Sequence, residues 1–375
     1  MGNMIDYVKN MGKFDFTEVP FQTEDALVFS ELCYLKFDGI VEGQDKESIS
    51  LSKIQNLPEK ENLFCIKAYE KDNRALFKAL TESKRFKDLL LSDYVNYIDK
   101  ESETQFSAIT FEIPGEVIFI AFRGTDETMC GWQEDFKLAL KKPIIGQTLS
   151  TAYINEIAER IKVPFFVGGH SKGGNLAMYA AMCASDYAKH LITKIYSFDG
   201  PGFRPEFLAE TEAGDFKSKL VSVIPKSSPV GMLLNNPGEY TVIEAKSVGV
   251  LQHNPYNWVI NKENKLSESS MTEQHKMFMK SMNEFILSLD EGSLSKLTLL
   301  LCGALDATNA STTEEFKANA GKHTKALIEA GKALDEESKE MAQKFLKTYT
   351  EIAGDIIKEN FLNWYNSVVE NFKSR

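Results

Sequence analysis

Hydrophobic and polar positions follow two rhythms along this chain, and the switches between them outline its elements. Asp25 to Leu32 carries apolar residues at helical spacing, as does Leu76 to Tyr97, so residues 1–105 predict a mostly helical N-terminal part. Phe106 to Ile113 and Val117 to Phe122 read as strands joined by a Pro114-Gly115 turn. A charged stretch from Trp132 to Lys142 and the segment Tyr153 to Ile161 return to helical spacing. Val163, Phe165, Phe166 and Val167 form a short buried strand, and Asn175 to Ala181 reads as a helix with small residues where it approaches a sheet. Further strands are expected at Lys194 to Phe198, Leu220 to Ile224 and Tyr240 to Ala245. Strands separated by helical segments imply a parallel sheet, so residues 106–268 form an α/β core. Beyond about residue 270 strand signals vanish, and residues 269–375 predict a helical C-terminal extension. Phe345, Tyr349, Ile352, Ile356, Trp364 and Val368 fall on one face there, a stripe suited to docking on the core or pairing with another helix.

Composition narrows the class. With 375 residues, 43% hydrophobic and 26% charged, the chain suits a globular fold of one large α/β domain with additions. A formal net charge of −11 argues against a nucleic-acid surface and against tight electrostatic binding to anionic lipid. It leaves peripheral membrane contact through a local patch open. The first residues, MGNMIDYVKNMGKFDF, lack the long apolar core of a secretory signal. The longest apolar run, Leu297 to Leu305, is too short to span a bilayer. Cys33, Cys65, Cys130, Cys183 and Cys302 are odd in number and widely spread, which suggests neither a zinc site nor a disulfide framework. The expected setting is a reducing cytoplasm, with no metal and no cofactor.

The strand ending near Val167 runs into Gly169-His170-Ser171-Lys172-Gly173, a match to G-x-S-x-G. Followed by a helix, that pattern marks an elbow that lifts a serine hydroxyl above a parallel sheet. Ser171 is therefore the candidate nucleophile. A serine needs a base within hydrogen-bond reach, and the base needs an orienting acid. Of the five histidines, His170 lies inside the elbow, His190 ends the following helix, and His275 and His323 sit in charged helical segments. His253 lies in a loop after the last expected strand, where a base following the serine in chain order belongs. For the acid, Asp199 ends the strand after the elbow, at the sheet edge where catalytic groups gather. It could instead open the Gly200-Pro201-Gly202 turn. Glu239 and Glu244 are weaker candidates. An oxyanion hole needs two donors. The N–H of Lys172 is one, and Phe122-Arg123-Gly124-Thr125 supplies the other through Thr125. Arg123 is read as a structural ion pair with Asp126 or Asp135.

Taken in order, FRGT, GWQEDF, GGHSKGGNLA, SFDGPGF and a late histidine resemble the class 3 (fungal triacylglycerol) lipases. The chain resembles more closely their bacterial Mbeg-like relatives, a family of unknown function, from Met4 to Trp258. That likeness includes IDYV, QFSAITFE, SSPVGMLL and QHNPYNW. The resemblance implies an α/β-hydrolase fold, with Ser171, His253 and Thr125 as nucleophile, base and oxyanion residue. It also implies a lid over about 126–147, with Met129, Cys130, Trp132, Phe136 and Leu138 on its apolar face. One position departs: Ser227-Ser228 stand where those lipases carry their catalytic Asp. Either Asp199 supplies the acid from the preceding strand, or the triad is incomplete. The expected function is a serine carboxylester hydrolase acting on a small acyl ester or lipid. The alternatives are an inactive hydrolase-fold scaffold and an acyltransferase or thioesterase that uses the same serine.

Overall fold

The structure is a computed structural model that describes residues 2–294, apart from 44–45, 66–68, 127–133, 135–136, 139–142, 212–214, 248 and 291. The chain divides into two compact units, residues 1–126 with 143–271, and residues 127–142 with 272–375. In the second unit the helix Glu273–Ser288 is capped by the Thr272 side chain, which accepts from the His275 N–H at 3.2 Å. The C-terminal apolar stripe, His323, Cys302 and the expected lid residues Met129, Cys130, Trp132 and Phe136 lie outside the described residues.

The first unit is built on an eight-stranded sheet whose spatial order follows the chain. The strands are β1 (Ile49–Ser50), β2 (Leu90–Asp99), β3 (Thr104–Ile113), β4 (Val117–Phe122), β5 (Phe165–His170), β6 (Ile192–Phe198), β7 (Leu220–Pro225) and β8 (Tyr240–Ile243). β1 to β4 pair antiparallel. From β4 to β8 every pairing is parallel, so five strands end at one edge. The expected strands from Phe106 onward are all present. Gly115 adopts φ +78° in the Pro114-Gly115 turn, a conformation glycine tolerates without strain.

One expectation fails. Leu76 to Tyr97 is not a continuous helix. The helix Glu70–Thr81 ends, and β2 begins at Leu90. A bulge between Ser92 and Val95, with Asp93 at φ +58°, breaks the two-residue alternation that would have marked the strand. Residues 1–105 thus hold β1, β2 and the start of β3 beside their helices.

Helices cover both faces. Ile145–Ile161 and Lys172–Cys183 pack together, the second against β4, β5 and β6. Thr23–Leu32 packs on β4, β5 and β6 from the opposite side, with Phe29 against Phe111 and Phe119. Phe119 and Phe122 are three apart on β4, so they face opposite ways, and Phe122 meets Tyr153 of Ile145–Ile161. Thr23–Leu32 is buried nearly all round, its polar residues included. Asp25 accepts from Arg85 at 2.5 and 3.0 Å and from the Tyr7 hydroxyl at 2.9 Å, with both members of the ion pair fully buried. The Arg85 guanidinium also lies 3.7 Å from the Phe16 ring centroid. This cluster fastens the N-terminal helices to each other.

Candidate active site

The parallel strands deliver their chemistry at one edge. β5 ends in His170, and Ser171 turns sharply at φ 59°, ψ −132° before the helix Lys172–Cys183. A residue with a Cβ holds such a backbone only where its surroundings impose it. The flanking glycines make room for the turn. A Cβ on Gly169 would lie 2.4 Å from the Gly173 carbonyl carbon, and one on Gly173 would lie 2.0 Å from the Phe122 carbonyl oxygen. β6 ends in Phe198, and Asp199 follows at φ +51°.

Ser171 Oγ lies 2.9 Å from His253 Nε2, and His253 Nδ1 lies 2.7 Å from Asp199 Oδ2. Asp199 is fully buried, while the His253 side chain is 24% exposed, enough to meet a ligand from outside. The carboxylate is held from two further sides. The Ser228 hydroxyl donates to Oδ2 at 2.5 Å, and the Gly231 N–H donates to Oδ1 at 2.9 Å. Ser228 thus contacts Asp199 from the place where the resemblance to the lipases would put an acid. The weaker candidates stand elsewhere: Glu244 pairs with Lys226 at 2.5 Å, which holds its carboxyl below the usual range, and Glu239 is exposed.

The His253 loop is tied down by side-chain bonds to its main chain. Gln252 is fully buried, accepts from the Ser227 N–H at 2.8 Å and donates to the Ser247 carbonyl at 2.7 Å. The Trp258 indole donates to the Gln252 carbonyl at 2.7 Å. Gln252 therefore joins the loop of His253 to the loop that holds Asp199. Sequence reasoning singled out Ser228 only as the place of a missing acid, and it passed over Gly231 and Gln252. The SSPVG and QHNP blocks were visible, but nothing in their spacing states that they meet.

The FRGT segment leaves β4 beside the elbow. A Cβ on Gly124 would lie 3.0 Å from the Ser171 Cβ and 2.6 Å from the His170 carbonyl oxygen, so Thr125 follows a point of direct contact. Arg123 is fully buried, donates to Asn96 at 2.9 Å and lies 3.3 Å from Asp126. Asp135 is outside the described residues. The Lys172 amine is buried and donates to the main-chain and side-chain oxygens of Gln105 at 2.8 and 2.9 Å. Of the other histidines, His190 closes the helix Asp186–Leu191 and His275 lies in Glu273–Ser288.

Among the described residues, no cluster of His, Cys, Asp or Glu has a metal-binding arrangement, and no helix is long and apolar enough to cross a membrane. A profile of the Mbeg1-like family matches residues 80–301, more than half of the chain and every residue of the contact chain above. No curated protein matches the chain significantly.

Proposed function

The chain belongs to the Mbeg1-like family, and on that premise we propose that it is a serine carboxylester hydrolase of the lipase-like α/β-hydrolase kind. One observation carries the reading: a hydroxyl, an imidazole and a buried carboxylate in series, at 2.9 and 2.7 Å. A serine hydroxyl is a weak nucleophile until a base can take its proton. In this reading Ser171 Oγ attacks the ester carbonyl carbon while His253 Nε2 accepts the proton. Asp199 holds the Nδ1–H and stabilises the imidazolium. The N–H groups of Lys172 and Thr125 take the negative charge of the tetrahedral oxygen. His253 then protonates the leaving alcohol, and water releases the acid from Ser171.

The argument for an inactive scaffold rested on the serine at position 228, and the contact of Asp199 with His253 removes that motive. The substrate is a small acyl ester or a lipid, the latter by resemblance to the class 3 lipases. Acyl transfer would use the same serine, and product analysis with competing alcohols separates it from hydrolysis.

The test is turnover of p-nitrophenyl esters of rising acyl length, beside Ser171→Ala and a fluorophosphonate label. Turnover and labelling that vanish in Ser171→Ala are expected. Hydrolysis that persists in the variant would sink the proposal, as would a wild-type protein that neither turns over any ester nor takes the label.

A further inference from the structure

One buried titratable side chain touches the base loop and has no part in the reaction just described. His170 directly precedes Ser171, and its ring lies beside that of His253, with centroids 4.5 Å apart. Its Nε2 is 2.8 Å from the main-chain oxygen of His253. A carbonyl can only accept, so Nε2 carries the proton. Nδ1 is then an acceptor, and the Tyr34 hydroxyl donates to it at 3.0 Å. The remaining groups facing the ring are the Glu31 carboxyl, 3.5 Å from Nδ1, and the Trp258 indole, 6.0 Å away between ring centroids. At 3.5 Å the carboxyl is too far for a charge-assisted bond. Burial first, and the neighbouring His253 second, hold His170 well below the ordinary histidine range. The ring is therefore neutral, with its tautomer fixed by its neighbours.

We propose that His170 is a positioning residue that sets the main chain of His253, and so the aim of Nε2 at Ser171. This rests on the hydrolase reading above. Gln252 and Trp258 fix the residue before the base, whereas His170 fixes the base itself. Because His170 belongs to the elbow, one bond ties the nucleophile turn to the base loop across 83 residues of sequence. Its neutrality matters too. When His253 takes the serine proton it becomes a cation, and a neutral neighbour at 4.5 Å does not oppose that charge.

The test compares wild type with His170→Phe, which keeps a ring but loses the donor, and His170→Gln, which keeps an N–H donor. Circular dichroism confirms that each variant is folded. For His170→Phe, kcat should fall about 10- to 100-fold with KM within about twofold, the mark of lost aim rather than lost binding. The acid limb of its kcat/KM profile should also move, and His170→Gln should regain most of the rate. A folded His170→Phe with kcat within about twofold of wild type overturns the proposal alone. Nitrogen NMR of the wild type provides a second reading that depends on no variant. The Nε2–H tautomer of His170 at neutral pH is expected, and an Nδ1–H tautomer or an imidazolium overturns the proposal. A wild-type protein with no ester turnover and no fluorophosphonate labelling refutes the hydrolase reading instead, and this inference with it.

Discussion

Replacing Glu31 with glutamine should change how stability depends on pH, and the size of the change follows from burial. Glu31 lies in Thr23–Leu32, and its Oε1 has no hydrogen-bond partner among the described residues. Burial pushes its carboxyl from the ordinary 4.5 up to about 8. The unfolded chain gives up this proton near pH 4.5, whereas the fold keeps it until about 8. Between those values the unfolded state binds fewer protons, so stability falls as pH rises, by about 1.4 kcal/mol per pH unit. Across the window the loss is on the order of 5 kcal/mol for the wild type, and it is absent from the variant. Urea unfolding at steps between about pH 5 and pH 8 reads this directly, with the buried Trp258 as fluorescence reporter. The stability of Glu31→Gln relative to wild type should climb with pH at about that slope. Any fixed cost of burying the new amide shifts the curve without tilting it. Parallel curves would mean that Glu31 is ionised inside the fold, and the desolvation argument would be refuted.

Asp199→Asn keeps the side-chain shape but removes the charge beside His253 Nδ1, so ester turnover should fall about 10³- to 10⁴-fold. Undiminished kcat would assign the acid elsewhere. Asp25→Ala leaves the buried Arg85 without its carboxylate, and urea unfolding should show a loss of about 3–5 kcal/mol. A loss below about 1 kcal/mol would reduce the pair to the worth of a surface contact. Gly173→Ala forces a methyl to within 2.0 Å of the Phe122 carbonyl, so the protein should be insoluble or fail to react with a fluorophosphonate. A soluble variant with a normally reactive Ser171 would contradict the elbow's packing.

Much of this was legible in the sequence where a local rule governs the outcome. The two glycines around Ser171 announce a tight turn because their spacing matches the points where the turn meets its neighbours. β4 stands out because its apolar run is unbroken, and β3 because it is rich in β-branched and aromatic residues and joins β4 through a Pro-Gly turn. β2 was missed because its bulge shifts the side-chain alternation partway along. Asp199 could be named as a strand-end carboxylate and the favoured acid, but its 2.7 Å contact with His253 and its bonds to Ser228 and Gly231 needed the fold. The role proposed for His170 depends on a carbonyl 83 residues away and on Tyr34, 136 residues away. No periodicity encodes such meetings; they follow from which loops the sheet order brings to one edge.

The winding of the sheet has a consequence for what counts as a foldable piece of this protein. β4 to β8 advance in a single direction, and the helices Ile145–Ile161 and Lys172–Cys183 that connect them pack together against one face. The other face carries Phe111, Phe119, Phe166 and Tyr196, and among the described residues the segment before β2 covers these four through Phe21 and Phe29. The family-matched region begins at residue 80 and omits that cover. A fragment cut there would keep Ser171, His253 and Asp199 yet present a naked aromatic surface to water, and it should aggregate. The boundary of the family match and the boundary of autonomous folding therefore differ in this chain, and expression should start from the first helix.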